Sequence, residues 1–213
     1  MSVQLPNHLR ERAELLLERS GPVGASPRLV LGLTGPPGAG KSTLAEALVA
    51  ALGPVAVLVP MDGFHLAQVE LERLGRADRK GAPDTFDAAG FAEVLRRARH
   101  DVDETVYAPM FRRDIEEPIA GAIAVTPEVR LVVTEGNYLL DERPPWDRVR
   151  PLLDEAWYLE VEDSLRRSRL VARHISFGRD EPAARDWVRT VDEPNAVLAT
   201  TYRPRADLVV QWG

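Results

Sequence analysis

The sequence predicts an α/β fold: a doubly wound, mainly parallel sheet of five strands with helices on both faces, and a hairpin inserted into it. Three observations carry that expectation. Short, continuously apolar runs recur along the chain, they alternate with stretches whose apolar residues fall at helical spacing, and one strand-to-helix junction is rich in glycine. Strands apolar on both faces need cover on both faces, which is what a parallel sheet between helix layers provides, and ligands of such sheets sit beyond the carboxyl ends of the strands.

Leu9, Ala13, Leu16 and Leu17 predict an amphipathic first helix, and Ser20 to Pro27 reads as a Gly/Pro/Ser linker. Leu29 to Leu33 is a short buried strand, Ser42 to Leu52 a helix, and Val55 to Val59, after Gly53-Pro54, a second strand parallel to the first. Asp87 is placed to cap a helix carrying Phe91, Val94, Leu95 and Ala98 on one face. Thr105 to Val125 is read as a hairpin. Leu131 to Thr134, Ala156 to Leu159 and Leu208 to Val210 complete the strands, and an Arg-rich helix from Asp163 to Phe177 precedes two shorter helices around Trp187 and Val197.

The 213 residues suffice for one substantial core, so the expectation is a single domain over 1–213, with 1–27 as its helix and linker. A formal charge of −6 argues against a general nucleic-acid binder, which needs a basic face. With no cysteine, a disulfide framework, a thiolate nucleophile and thiolate metal sites are all excluded, and a cytoplasmic setting fits. No secretory signal pattern opens the chain. The longest apolar region, Leu44 to Pro60, is interrupted by Glu46 and Gly53-Pro54, so no membrane span is expected.

The strongest chemical signal is Gly35-Pro36-Pro37-Gly38-Ala39-Gly40-Lys41-Ser42, which fills G-x-x-x-x-G-K-[ST] between a strand and a helix, with Thr43 next in line. Glycines let the backbone curl so that successive amides face phosphate oxygens, and the helix adds its positive end. Lys41 would pair with the β and γ phosphates and Ser42 would ligate Mg²⁺. The expected ligands are therefore ATP and Mg²⁺. A guanine-reading N-K-x-D is absent, and no acidic pair follows an apolar strand as in helicase-like or transporter-like ATPases.

From Asp62-Gly63-Phe64-His65 onward the chain resembles the uridine kinase, phosphoribulokinase and type I pantothenate kinase superfamily. Lys80 to Asp87, Tyr107-Ala108-Pro109, Thr134-Glu135-Gly136-Asn137-Tyr138 and Arg169 to Asp180 follow in the family's order, over roughly residues 28 to 210. The resemblance implies that Asp62 is the catalytic base and that Glu135 helps hold Mg²⁺ or orients the acceptor. It implies that 163–180 is a lid whose arginines, Arg169 and Arg173 first, meet the transferring phosphoryl group; Arg166 shares their helix face by spacing, and Arg167 points elsewhere. Arg179 matches a recurrent Gly-Arg-Asp.

The acceptor side is expected to include His65, Asp84, Phe86, Tyr107, Arg113 and Tyr138. Uridine kinases carry a histidine shortly after the tyrosine of the Tyr107 motif, where this chain has Phe111-Arg112-Arg113. Either Arg112 or Arg113 then recognises an anionic or polyol acceptor, or both are exposed and paired with Glu116 and Glu117. Asn195 either reaches a ligand or caps a helix. The expected activity is transfer of the terminal phosphoryl group of ATP to a hydroxyl of a small metabolite, with no nucleic-acid or membrane partner and with a homodimer left open. The rivals are a regulatory ATPase acting through a protein partner and a nucleic-acid-end kinase, which would need a basic groove.

Overall fold

Leu29, Leu31 and Leu33 lie on one side of the first strand and Val30 on the other, and both sides are buried. This follows from the two-residue alternation of a strand whose residues are all apolar or small. In the computed structural model, which describes residues 5–212, that strand, β1 (Leu29–Thr34), is central. The others are β2 (Ala56–Leu58), β5 (Leu131–Glu135), β6 (Glu155–Glu160) and β7 (Leu208–Gln211), while β3 (Val106–Arg112) and β4 (Glu117–Val125) form a separate antiparallel hairpin. The sheet order is β2-β5-β1-β6-β7, and every pairing in it is parallel.

Helices α1 (Asn7–Glu18) and α2 (Lys41–Leu52) cover one face, packing Leu9, Leu16, Leu44 and Leu48 against Leu31, Leu33, Val133 and Trp157. On the other face α4 (Ala88–His100) packs Phe91 and Leu95 against Val30, Val132 and Ala156. Asp87 caps α4 through Gly90 N, as its position before the apolar stripe predicts. Burying about ten such large apolar side chains at roughly 1.5–3 kcal/mol each is what holds the layers together. Among the described residues no helix is long and apolar enough to cross a membrane.

One expected strand is shortened, and two other stretches gain detail. The second strand is shorter than Val55 to Val59, although Val59 N still donates to Val133 O at 2.8 Å. A short helix, α3 (Gln68–Arg73), lies in a stretch for which no element was expected. The two helices near the end, α6 (Glu181–Trp187) and α7 (Glu193–Thr200), follow α5 (Asp163–Ser176) and are joined by a π turn, Val188–Asp192, into one run. In the hairpin the register shifts between Ala108 and Met110, around Pro109, which has no N–H to give.

Candidate active site

The carboxyl ends of β1, β2 and β5 open into a cleft of about 600 Å³, a size usual for a small-molecule site. β1 leads into the glycine loop, which delivers Lys41 as the first residue of α2. Gly38 stands at φ +80°, and a Cβ there would come within 2.9 Å of the Arg166 carbonyl oxygen, so only glycine lets the loop pass beneath α5. Gly40 caps α2 without a side-chain acceptor, which leaves the helix start available to an anion.

Lys41 is buried, and its Nζ donates to Gly35 O (3.0 Å), Pro36 O (3.1 Å) and Asn137 Oδ1 (2.6 Å). Burial lowers its pKa to about 8, against the opposing pull of Glu135 and Asp62. Ser42 Oγ donates to Glu135 Oε1 at 2.9 Å. These two oxygens, from the loop and from the end of β5, are hard donors suited to a magnesium ion carried in with a nucleotide. Among the described residues no group of three or more His, Asp or Glu could hold a metal by protein ligands alone.

Asp62 sits on the turn Met61–Phe64 that leaves β2, and its Oδ2 accepts from Arg113 at 2.8 Å. Burial pushes its carboxyl up, but the fixed cations facing it, Arg113, Arg173 and Lys41, hold it below its ordinary value. Glu135 goes the other way, raised by burial and by the neighbouring Asp62 charge. The pair therefore splits into an ionised Asp62 and a Glu135 that gives up its proton less readily.

The cleft gathers most of the expected residues: Pro37, Gly38, Gly40, Lys41, Ser42, Thr43, Asp62, His65, Phe86, Arg113, Glu135, Arg169 and Arg173 all line it. Gly35 and Pro36 contribute carbonyls to Lys41, and Ala39 is buried. Three acceptor-side residues lie elsewhere. Asp84 is held by Arg79 (2.8 Å) and Arg76 (3.4 Å) outside the cleft. Tyr107 is 60% exposed, because strand alternation turns it outward between buried Val106 and Ala108. Tyr138 is fully buried against Trp146 and donates to Gly81 O at 2.6 Å, which makes it part of the core.

Arg166 also departs from its expected face. It is buried and taken by Asp163 (3.1 Å) and Glu193 (2.5 Å), while Arg169 and Arg173 reach the cleft. Of the two alternatives for Arg112 and Arg113, pairing with Glu116 and Glu117 is not formed; Arg112 pairs with Asp114 and Arg113 with Asp62. Sequence reasoning missed Asn137, although it lies in the Thr134 to Tyr138 motif, and the cluster beside α5 in which His174 meets Asp192 (2.8 Å) and Arg179 stacks 3.9 Å over Trp187. Asn195 lines the cleft from the first turn of α7.

Comparison with known proteins bears on the whole chain. The family model of the methylmalonyl Co-A mutase-associated GTPase MeaB matches residues 2–59, which contain the phosphate loop but end before Asp62. A Schizosaccharomyces pombe protein provisionally described as a uridine kinase is 39% identical over 160 residues, 71% of this chain and 68% of that protein. A crystal structure from Silicibacter sp. TM1040, of a protein provisionally described as a fructose transport system kinase, superposes with a TM-score of 0.84 at 40% identity, covering 95% of this chain and 98% of that one. This chain belongs to the P-loop kinase superfamily of the uridine kinases and type I pantothenate kinases. The kinase is also 29% identical to the pantothenate kinase of Streptomyces avermitilis over 96% of its own length and 71% of that protein. These relatives identify a small-molecule kinase.

Proposed function

We propose that this kinase transfers the γ-phosphoryl group of MgATP to a hydroxyl of a small metabolite, with Asp62 as the base. The observation that carries this reading is that Lys41, at the root of the phosphate loop, and Asp62, on the turn that leaves β2, line the same cleft. The loop amides and Lys41 bind the β and γ phosphates, and Arg169 and Arg173 offset charge on the transferring group from the lid side. Ser42 and Glu135 would hold magnesium brought in with the nucleotide, which would offset phosphate charge there.

Asp62 orients the acceptor hydroxyl and takes its proton as the new P–O bond forms; the bond from the γ phosphorus to the bridging oxygen breaks, and ADP leaves with that electron pair. A carboxylate held below its ordinary value is ionised throughout the physiological range, so the form that can accept a proton is the one present, although its basicity is reduced. Uridine-like, pantothenate-like, sugar-like and glycerate-like acceptors all suit this chemistry.

Replacing Asp62 by Asn tests the reading. Its expected result is MgATP affinity within about threefold of the parent with turnover lowered about 10²–10⁴-fold. Unchanged turnover would remove Asp62 from the role.

A further inference from the structure

Arg113 follows β3 by one residue and turns away from its neighbour. Arg112 is taken on the outside by Asp114 (Nε to Oδ1, 2.8 Å), whereas Arg113 reaches inward to Asp62 Oδ2 at 2.8 Å. The hairpin that carries Arg113 is pressed onto the Asp62 turn. A Cβ on Gly63 would lie 2.3 Å from Pro109 O, so the backbones meet there at a distance that only glycine permits. Packing of one loop on another thus delivers Arg113 to the base.

A guanidinium on Asp62 opposes its role as base. It occupies one of the carboxylate oxygens and favours the ionised form, which makes Asp62 a poorer proton acceptor until the contact is broken. The surrounding wall is rich in cations. The cleft is lined by Lys41, Lys80, Arg113, Arg169, Arg173 and Arg179 against Asp62, Glu116, Glu135 and Asp192, an excess of positive charge within a chain of net −6. Lys41, Arg169 and Arg173 belong with the phosphate loop and lid. Lys80 and Arg113 stand by the Phe111 ring, 5.3 and 5.8 Å from its centre, and Arg113 is also close enough to Lys41 and Arg173 for its charge to be felt at both.

His65 adds a second feature beside Phe111. Its ring lies between Phe86 (4.0 Å) and Phe111 (4.7 Å), and burial lowers its pKa, so it is neutral. Its Nδ1 is 2.9 Å from the Asp62 carbonyl oxygen, which can only accept, so Nδ1 carries the hydrogen and Nε2 is left as an acceptor. An acceptor hydroxyl can donate to it.

We propose that the phosphoryl acceptor is a hydroxylated anion, bearing a carboxylate or a phosphate, and that this anionic group draws Arg113 off Asp62 so that the base is released only when such an acceptor is in place. The proposal rests on the kinase reading of the same site and adds the acceptor's charge to it. A neutral polyol or nucleoside has no group to compete for the guanidinium, so it leaves Asp62 paired and is selected against in the chemical step. Arg113 is then a specificity-determining residue, exchanging one charge-assisted contact for another.

The test compares acceptors that differ in charge and little else: glycerate with glycerol and pantothenate with pantothenyl alcohol for the carboxylate arm, and fructose 6-phosphate with fructose for the phosphate arm. Coupled ADP release gives kcat/KM for the parent, Arg113→Ala and Arg113→Lys. The parent should prefer the anionic member of at least one pair by about 10–100-fold, the span expected for a hydrogen bond to a charged group. Arg113→Ala should shrink that ratio to within about threefold, and Arg113→Lys, which keeps the charge without the planar fork, should restore part of it. A merely structural role would lower both members of a pair in proportion and leave the ratio unchanged, which overturns the proposal. So does a parent that uses a neutral member as well as its anionic twin. Uridine is run beside the pairs: if neither it nor any member of a pair raises ADP release above the acceptor-free rate, the kinase reading itself fails and this inference falls with it, whereas turnover of uridine or of neutral members alone defeats only the inference.

Discussion

Lys41 Nζ donates to Asn137 Oδ1 at 2.6 Å, tying the first residue of α2 to the turn that leaves β5. With Gly35 O and Pro36 O as its other acceptors, the ammonium is held by neutral oxygens, and burial brings its pKa to about 8. Phosphate favours the charged ammonium, so the pKa with nucleotide bound lies above the free value. MgATP affinity should therefore be full below about pH 8 and fall as pH rises through it, with proton uptake on binding in that window. Asn137→Asp places a carboxylate beside Nζ and should move the onset of the decline up by about one unit while weakening binding at pH 7 about tenfold. Calorimetry in buffers of different ionisation enthalpy measures both effects. Affinity that is flat to pH 9 contradicts the account.

Arg166 and Arg173 lie on one helix and should fail in different ways. Arg166 is buried with Glu193, which Arg167 also holds at 2.9 Å, so Arg166→Ala removes one of that carboxylate's two partners and should cost about 1–3 kcal/mol in urea unfolding. Arg173→Ala should unfold near the parent's midpoint while kcat falls about 10²–10³-fold, because Arg173 lines the cleft. The reverse pattern would exchange their roles.

Which parts of this arrangement were legible depended on how local their causes are. The phosphate loop, the five strands and the Asp87 cap could be read from the chain because each is set by neighbouring residues. Tyr107 and Tyr138 were misplaced because proximity to a motif carries no direction: strand alternation turns Tyr107 to solvent, and core packing takes Tyr138. Asp84 was misplaced because Arg76 and Arg79 fold back onto it. Helical spacing put Arg166 beside Arg169 and Arg173, but only the position of α7 shows that Glu193 claims it. The contact of Arg113 with Asp62 joins residues 51 apart and exists because a hairpin packs on Gly63, for which the chain carries no local signal.

Arg28 should be a stability residue with no part in turnover. It is buried just before β1, and its guanidinium donates to five backbone carbonyls, those of Ala98, Asp101, Val102, Thr126 and Val129. It thereby ends α4 and pins the loop before β5. Arg28→Met keeps the apolar stem and removes every donor, which should cost about 3 kcal/mol of unfolding free energy. A loss below about 1 kcal/mol would mean that water replaces those bonds freely.

The central claim is that one cleft grips a triphosphate at Lys41 and activates an alcohol at Asp62. It is tested most directly by following the label from ATP carrying a radioactive γ-phosphoryl group, incubated with the parent or Asp62→Asn and a mixture of hydroxylated metabolites. The account predicts label in a stable organic phosphate ester with the parent, and a large loss of that ester with Asp62→Asn at equal nucleotide occupancy. Label released only as inorganic phosphate, at the same rate by both proteins, would contradict it.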